Sequence, residues 1–183
     1  MPTLKKIKSN HFQEKSSEYF NCIFNNFKSY KFDFESFEFT NCIFENCDLS
    51  LSNLTDTLLS NIHFINCKLT GVDFSTCNKF IFSVKFTNCI LDYCFFYKNN
   101  FKKTTFDHCK IHDASFIETN LKHCHFLNSD LKNSKFDQCN LEFCNFCSAK
   151  NYIINPNINK IKNASFSFPN ILGLLNHLHI IIK

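Results

Sequence analysis

Large apolar side chains recur every five residues along most of the chain. One run is Phe34, Phe39, Phe44, Leu49, Leu54, Leu59, Phe64, Leu69 and Phe74. A second is Phe86, Leu91, Phe96, Phe101, Phe106, Ile111, Phe116, Leu121, Phe126, Leu131, Phe136, Leu141 and Phe146. A helix repeats at about 3.6 residues and a strand at about 2, so neither produces this period. Two residues before each centre sits a smaller side chain, as at Cys42, Cys47, Ser52, Thr57, Cys67 and Val72. The second run continues this with Val84, Cys89, Cys94, Thr104, Cys109 and Ala114 on to Cys144. A fixed short period of this kind is the signature of a repeat architecture.

The unit is a small residue, a polar residue, Leu or Phe, then two mostly polar residues. It resembles the pentapeptide-repeat proteins. FTNCIFENCDLS and LKHCHFLNSDLKNSKFDQCNLEFCNF match most closely, and the resemblance covers residues 19–150. It implies an all-β solenoid, a right-handed quadrilateral β-helix with four pentads per coil. Centre and small residues then point inward and the other three outward. If so, centres 20 apart stack, and the sequence tests this. One column reads Phe24, Phe44, Phe64, Phe86, Phe106, Phe126, Phe146, and another Leu49, Leu69, Leu91, Ile111, Leu131. The register holds if two extra residues lie near 75–85. Coils spaced about 4.8 Å apart, six to seven of them, give a rod roughly 30 Å long. Three regions follow: an N-terminal cap over 1–18, the β-helix over 19–150, and a C-terminal cap and dimerisation tail over 151–183.

Composition narrows the function. Two Gly and three Pro exclude collagen-like and glycine-rich phosphate-binding folds. No apolar run is long enough for a transmembrane helix. The opening MPTLKKIKSNHF has no apolar stretch, so a cytoplasmic protein with reduced thiols is expected. Eleven of the twelve Cys occupy the small inward slot, and Cys147 does not. They read as packing residues, because stacked inward thiols do not converge on one ion. Cys144 and Cys147 form a single CxxC without a partner pair. The eight His are scattered at outward positions, and no nucleophile–base set can be assembled from them. No catalytic residue, metal site or cofactor is expected. Asn46, Asn66, Asn88 and Asn128 lie two after a centre, where a left-handed backbone suits Asn.

The surface carries the functional signal. The net charge is +4, with every basic residue a Lys, yet 31–74 alone carries −5. Its acids are Asp33, Glu35, Glu38, Glu45, Asp48, Asp56 and Asp73. On a square coil Asp33, Glu35, Asp56 and Asp73 share one face or its edge. Tyr93, Phe95, Tyr97 and Ile117 form a possible partner patch. Lys98, Lys102 and Lys103 read as a solvated face. The tail after Pro169 predicts a short apolar helix and then a strand over 179–182. Ile171, Leu172, Leu174, Leu175, Leu178, Ile180, Ile181 and Ile182 are its candidate dimer interface. This tail resembles the end of the Qnr quinolone-resistance and microcin-immunity pentapeptide proteins, which dimerise end to end. The resemblance implies a DNA-mimicking protein that binds DNA gyrase or topoisomerase IV and protects it from a quinolone or a peptide toxin. The acidic residues would make the contact. The alternatives are an adaptor solenoid that presents a flat face to another protein, and a nucleic-acid binder favoured by the positive net charge. Direct nucleic-acid or membrane binding is not expected.

Overall fold

A computed structural model describes residues 5–7 and 18–181. Parallel pairing at a constant offset builds the rod. Phe24 sits beside Phe44 and Phe44 beside Phe64, on strands Cys22–Asn25, Ile43–Glu45 and Leu58–Ile65. The column continues through Phe82–Thr87, Thr105–Asp107 and His125–Leu127. Lys5–Ile7 pairs with the first of these strands. This is the first of four faces.

The second face is a ladder of single bridges from Lys28 through Asp48, Lys68, Ile90, Lys110 and Asp130 to Lys150. The third joins Asp33 to Asn53 and Asp73 to Phe95, then pairs Phe95–Tyr97, Ser115–Ile117 and Lys135–Asp137. The fourth pairs Glu18–Phe20, Glu38–Thr40 and the start of Leu58–Ile65, then bridges Asn100, Asn120, Asn140 and Lys160. The result is a right-handed parallel β-helix of about six turns.

The corners explain the five-residue period. Every fifth residue from Asn26 to Gly71, and from Asn88 to Phe143, has positive φ, between 49° and 65° except at Gly71. A left-handed residue redirects the chain, and β-branched side chains are absent from these positions because they clash there. Asn46, Asn66, Asn88 and Asn128 are all corners. Gly71, at φ 70°, is the one glycine among them, and a Cβ there would strike the Leu51 side chain.

Two of the five positions make the core. Successive rings of the first face stack with centroids 4.6 Å apart at Phe24–Phe44 and 4.8 Å at Phe106–Phe126. A second stack, Phe74, Phe96, Phe116 and Phe136, lines the third face. The two stacks meet edge to face, as at Phe106–Phe116 with 6.3 Å and 89°. Both geometries suit aromatic quadrupoles.

The small slot is selected for more than size. Cys47 Sγ donates to Phe24 O at 3.4 Å, Cys67 to Phe44 O at 3.2 Å and Cys124 to Phe101 O at 2.8 Å. Thr57, Thr119, Ser129 and Ser134 donate to equivalent carbonyls. Each satisfies a buried backbone acceptor of the coil below, which a purely apolar side chain cannot do.

Two places depart from regularity. The column offset is 20 on either side of the insertion but 22 across it, at Phe64–Phe86, Lys68–Ile90 and Asp73–Phe95, where the chain bulges between Cys77 and Phe82. Continuing the register puts Lys79 at a centre. Lys79 is exposed, and Phe82 packs against the core in its place, because a buried unpaired ammonium is costly. The tail differs from a single helix followed by a strand. Asn170–Leu174 and Asn176–Leu178 are two 3-10 turns, with Pro169 capping the first. Gly173 lets the first turn lie on Tyr152, whose carbonyl a Cβ would strike. His179 is left-handed and stops the second turn, and residues 179–181 join no strand. Ile182 lies outside the described residues.

Candidate functional site

The third face carries the acids and the aromatic residues on one continuous strip. Asp33 and Asp73 precede centres of this face, Glu35 follows one, and Asp56 occupies a corner at its edge. The bridge from Asp73 to Phe95 makes the first patch run directly into the second. Phe95 and Tyr97 then sit 6.3 Å apart and nearly parallel, with Ile117 paired to Tyr97 on the next coil. Tyr93 stands exposed at the corner that enters the face. Lys98 Nζ lies 4.8 Å from the Tyr97 ring centre and Lys79 Nζ 5.9 Å, so a cation–π pair marks the end of the acidic stretch.

The acids also have local duties. Asp33 Oδ1 accepts the Glu35 amide at 3.2 Å and the Asn53 side-chain amide at 2.9 Å. Asp73 Oδ1 accepts the Ser75 amide at 2.8 Å. Asn53 accepts the Thr55 amide in the same way, and Asn100, Asn120 and Asn140 repeat the motif. The turn therefore needs an Asx acceptor and does not need a carboxylate.

The other three acids are scattered over the remaining faces. Glu38 is on the fourth, paired across from Leu58. Glu45 is on the first, where it accepts from Asn25 Nδ2 at 2.8 Å. Asp48 is on the second. Partial burial raises its pKa, but the Ser50 hydroxyl and amide, with Lys68 and Lys28, hold it below the usual carboxylate range.

The insertion contributes a residue that the five-residue pattern does not single out. Phe80, at the tip of the bulge, is 99% exposed, and Ile81 beside it is half exposed. Asn78 Oδ1 holds the turn by accepting the Phe80 amide at 3.1 Å. The signal available in the sequence was an apolar pair inside the one segment that breaks register.

At the tail, Ile171, Leu172, Leu175, Leu178, Ile180 and Ile181 are exposed, while Leu174 packs against the core. Leu172, Leu175 and Ile180 line an open groove of about 400 Å3 with Asn176 and His179. The lysine cluster divides. Lys98 pairs with Glu118 at 3.4 Å at the edge of the third face, whereas Lys102 and Lys103 turn to the fourth.

The thiols follow their slot: eleven are buried and free, and Cys147 is exposed. Burial pushes Cys42 and Cys139 up to about 11. Among the described residues no three His, Cys, Asp or Glu gather as metal ligands, and no helix is long and apolar enough to cross a membrane. An apolar void of about 10 Å3 lies in the core between Phe34, Phe39, Leu54 and Ser52, too small for a substrate.

The family described as a pentapeptide repeat region matches residues 79–151. None of the curated proteins matches the chain. Among solved structures, a trypsin-treated QnrB1, a plasmid-mediated fluoroquinolone resistance protein, aligns with TM-score 0.51 and 21% identity over 98% of this chain and 95% of that one. Full-length QnrB1 gives TM-score 0.51 and 17% identity over 96% and 95%. HetL, a pentapeptide repeat protein involved in heterocyst differentiation regulation from the cyanobacterium Nostoc, gives 0.36 and 10% over 85% and 88%. These likenesses concern the fold. The family match thus places a pentapeptide repeat region at residues 79–151, and the five-residue register and the coil it builds carry the same fold through the neighbouring described residues.

Proposed function

We propose that the protein is a cytoplasmic, non-enzymatic DNA mimic that binds a type II topoisomerase, DNA gyrase or topoisomerase IV, and protects it from a poison. The observation that carries this reading is the line of carboxylates on the third face. Asp33 and Asp73 lie two coils apart, roughly 10 Å along the rod, with Glu35 and Asp56 beside them. A DNA-binding groove is basic, and it attracts an anionic rod over a Debye length of about 8–10 Å. The shared architecture with a protein named for fluoroquinolone resistance supports the choice of partner.

The test is capture of the chain by gyrase subunits, followed by supercoiling with and without poison. Changing Asp33, Glu35, Asp56 and Asp73 together to Asn or Gln is expected to weaken capture at least tenfold and leave the fold intact. Capture is also expected to fall steeply with salt. Changing Lys98, Lys102 and Lys103 is expected to leave capture equal or stronger. Unaltered capture by the acid variant refutes mimicry.

The exposed Tyr93 and Phe80, with the half-buried Phe95 and Tyr97 between them, favour a second reading, an adaptor that docks a protein through this patch. Loss of capture on changing Tyr93, Phe95 and Tyr97, with the acid set silent, selects it. In either reading the apolar tail joins two copies. Removing residues 170–183 is then expected to leave a monomer or an aggregate by sedimentation, and a stable dimer after truncation places the two-fold elsewhere.

A further inference from the structure

The fourth face gathers cations above the insertion. Its outward column one residue past the centres carries Lys102, Lys122, Glu142 and Lys162 on successive coils. Backbone bonds fix that succession: Lys103 N to Lys122 O at 3.0 Å, His123 N to Glu142 O at 3.0 Å, and Phe143 N to Lys162 O at 3.1 Å. The neighbouring column runs Asn100, Asn120, Asn140 and Lys160 in unbroken bridges, and Lys103 stands at the corner.

Five lysines thus meet one carboxylate, Glu142. That carboxylate is occupied by Lys122 at 2.8 Å. The bond from Lys122 comes first, and Lys160 and Lys162 add to it in holding Glu142 below the usual carboxylate range. Lys102, Lys103, Lys160 and Lys162 remain exposed. Asn120 Nδ2 donates to Asn100 Oδ1 at 3.0 Å, so the rungs beneath the lysines are tied to one another. The cations therefore stand along one straight face, Lys102 and Lys103 on one coil, Lys122 on the next, and Lys160 with Lys162 two coils further, a span of roughly 14 Å at about 4.8 Å per coil. A linear polyanion lying along the rod fits this track better than a compact anion.

A ring sits beside the track as well. Phe143 is 42% exposed, stacks on His123 at 4.8 Å, and lies under Lys122 Nζ at 5.3 Å. A basic strip flanked by an accessible aromatic ring is the arrangement that holds single strands through phosphates and a base face. An acidic peptide would use the lysines and leave the ring idle.

We propose that the fourth face, through Lys102, Lys103, Lys122, Lys160 and Lys162 beside Phe143, binds single-stranded nucleic acid without sequence preference. The phosphodiester chain is common to RNA and DNA, and the lysines supply point charges that read no base. This face is not the one in the topoisomerase reading, and the proposal stands or falls without it.

The experiment is fluorescence anisotropy of the full chain with labelled strands of about fifteen thymidines or fifteen uridines, over a salt series. Three to four phosphate contacts predict a log–log salt slope of about −2 to −3. The Lys102/Lys103/Lys160/Lys162→Gln variant is expected to lose at least tenfold in affinity and most of the slope, with an unchanged melting temperature. The control, Lys28/Lys68/Lys132/Lys150→Gln, removes the same charge from the second face without touching the Lys110–Asp92 pair, and is expected to bind as the parent does. Phe143→Ser is expected to weaken binding several-fold without changing the slope. Equal losses in both lysine variants, or no salt-dependent binding, overturn the proposal. Competition by polyglutamate as effective as by the strands overturns it in favour of an acidic protein. A difference between the thymidine and uridine strands would show which source the 2′-hydroxyl favours within the same proposal.

Discussion

Phe106→Ala tests the core where it is most fully determined. Phe106 is fully buried. Its ring stacks on Phe86 at 5.2 Å and 11°, and on Phe126 at 4.8 Å and 1°. It also meets Phe116 edge-on at 6.3 Å. Truncating a buried Phe costs about 3–5 kcal/mol. Two broken stacks, each contributing about 0.5–1.5 kcal/mol, place this site in the upper part of that range. The coils are held in register by backbone bonds, so the walls of the cavity collapse little. For a chain of this length about 4–5 kcal/mol lowers the melting temperature by about 8–20 °C. Phe80→Ala is the matched control, with the same atoms removed from a 99% exposed side chain. It is expected to stay within about 0.5 kcal/mol of the parent. Both are read by thermal and guanidinium melts followed by far-UV circular dichroism. A shift below about 3 °C for Phe106→Ala, or equal shifts in the two variants, refutes the stacked column.

Two further outcomes follow from the backbone and the thiols. Asn88, at φ 53°, holds a corner and donates to Asn66 Oδ1 at 3.2 Å. Asn88→Val is expected to cost about 1–2 kcal/mol in the same melts and Asn88→Gly well under 1, because only the β-branched side chain clashes at positive φ; equal losses would refute corner strain. The buried thiols make stability fall in alkali. Cys42 and Cys139 rise from 9.0 to about 11, so their contribution is complete below about pH 9 and is lost between about pH 9 and 11, roughly 2–3 kcal/mol each. A melting temperature that is flat across that window, or rapid native labelling of thiols other than Cys147, contradicts the burial.

The fold is legible in this sequence because only two of every five positions face the core. A strict spacing of Phe and Leu, with a small residue two before, leaves few alternatives. Counting in twenties even recovers which rings stack. What spacing does not carry is chemistry across coils. The carbonyl that Cys47 satisfies belongs to Phe24, and the pattern at Cys47 reads only as small size. Register also fails where the chain leaves it. Arithmetic puts Lys79 in the core, but charge forbids that burial, so Phe82 turns in and Phe80 is driven out to the tip of the bulge. The tail is similar. Pro169 marks the start of the turn, but the β-branched run after His179 has no neighbouring rung to pair with among the described residues. The four acids of the third face were predictable by position modulo five, since that placement needs no side-chain detail. The cation track of the fourth face required knowing that Glu142 is already occupied by Lys122.

Charge on this rod separates into two kinds, and the separation argues for which of it acts on partners. On the second face, charges compensate one another. Lys110 binds Asp92 at 2.8 Å, and Asp130 accepts from Asn151 Nδ2 at 2.8 Å. Asp92 is nearly buried and also accepts the His112 amide at 3.0 Å. These carboxylates are part of the structure. On the third face, Asp33, Glu35, Asp56 and Asp73 form no ion pair among the described residues. Asp33 and Asp73 occupy Asx slots in which Asn53 and Asn100 do the same turn chemistry without charge. Their negative charge is thus not required by the fold, and its field extends into solvent. The expected consequence is a crossed result. Asp92→Asn lowers the melting temperature and leaves partner capture intact, because it breaks a local network while the third face is untouched. Asp33→Asn with Asp73→Asn leaves the melting temperature unchanged, because the Asx acceptor survives, and weakens capture. If Asp33→Asn and Asp73→Asn instead destabilise the rod as much as Asp92→Asn, these carboxylates are structural too, and the acidic strip loses its claim to be the contact surface.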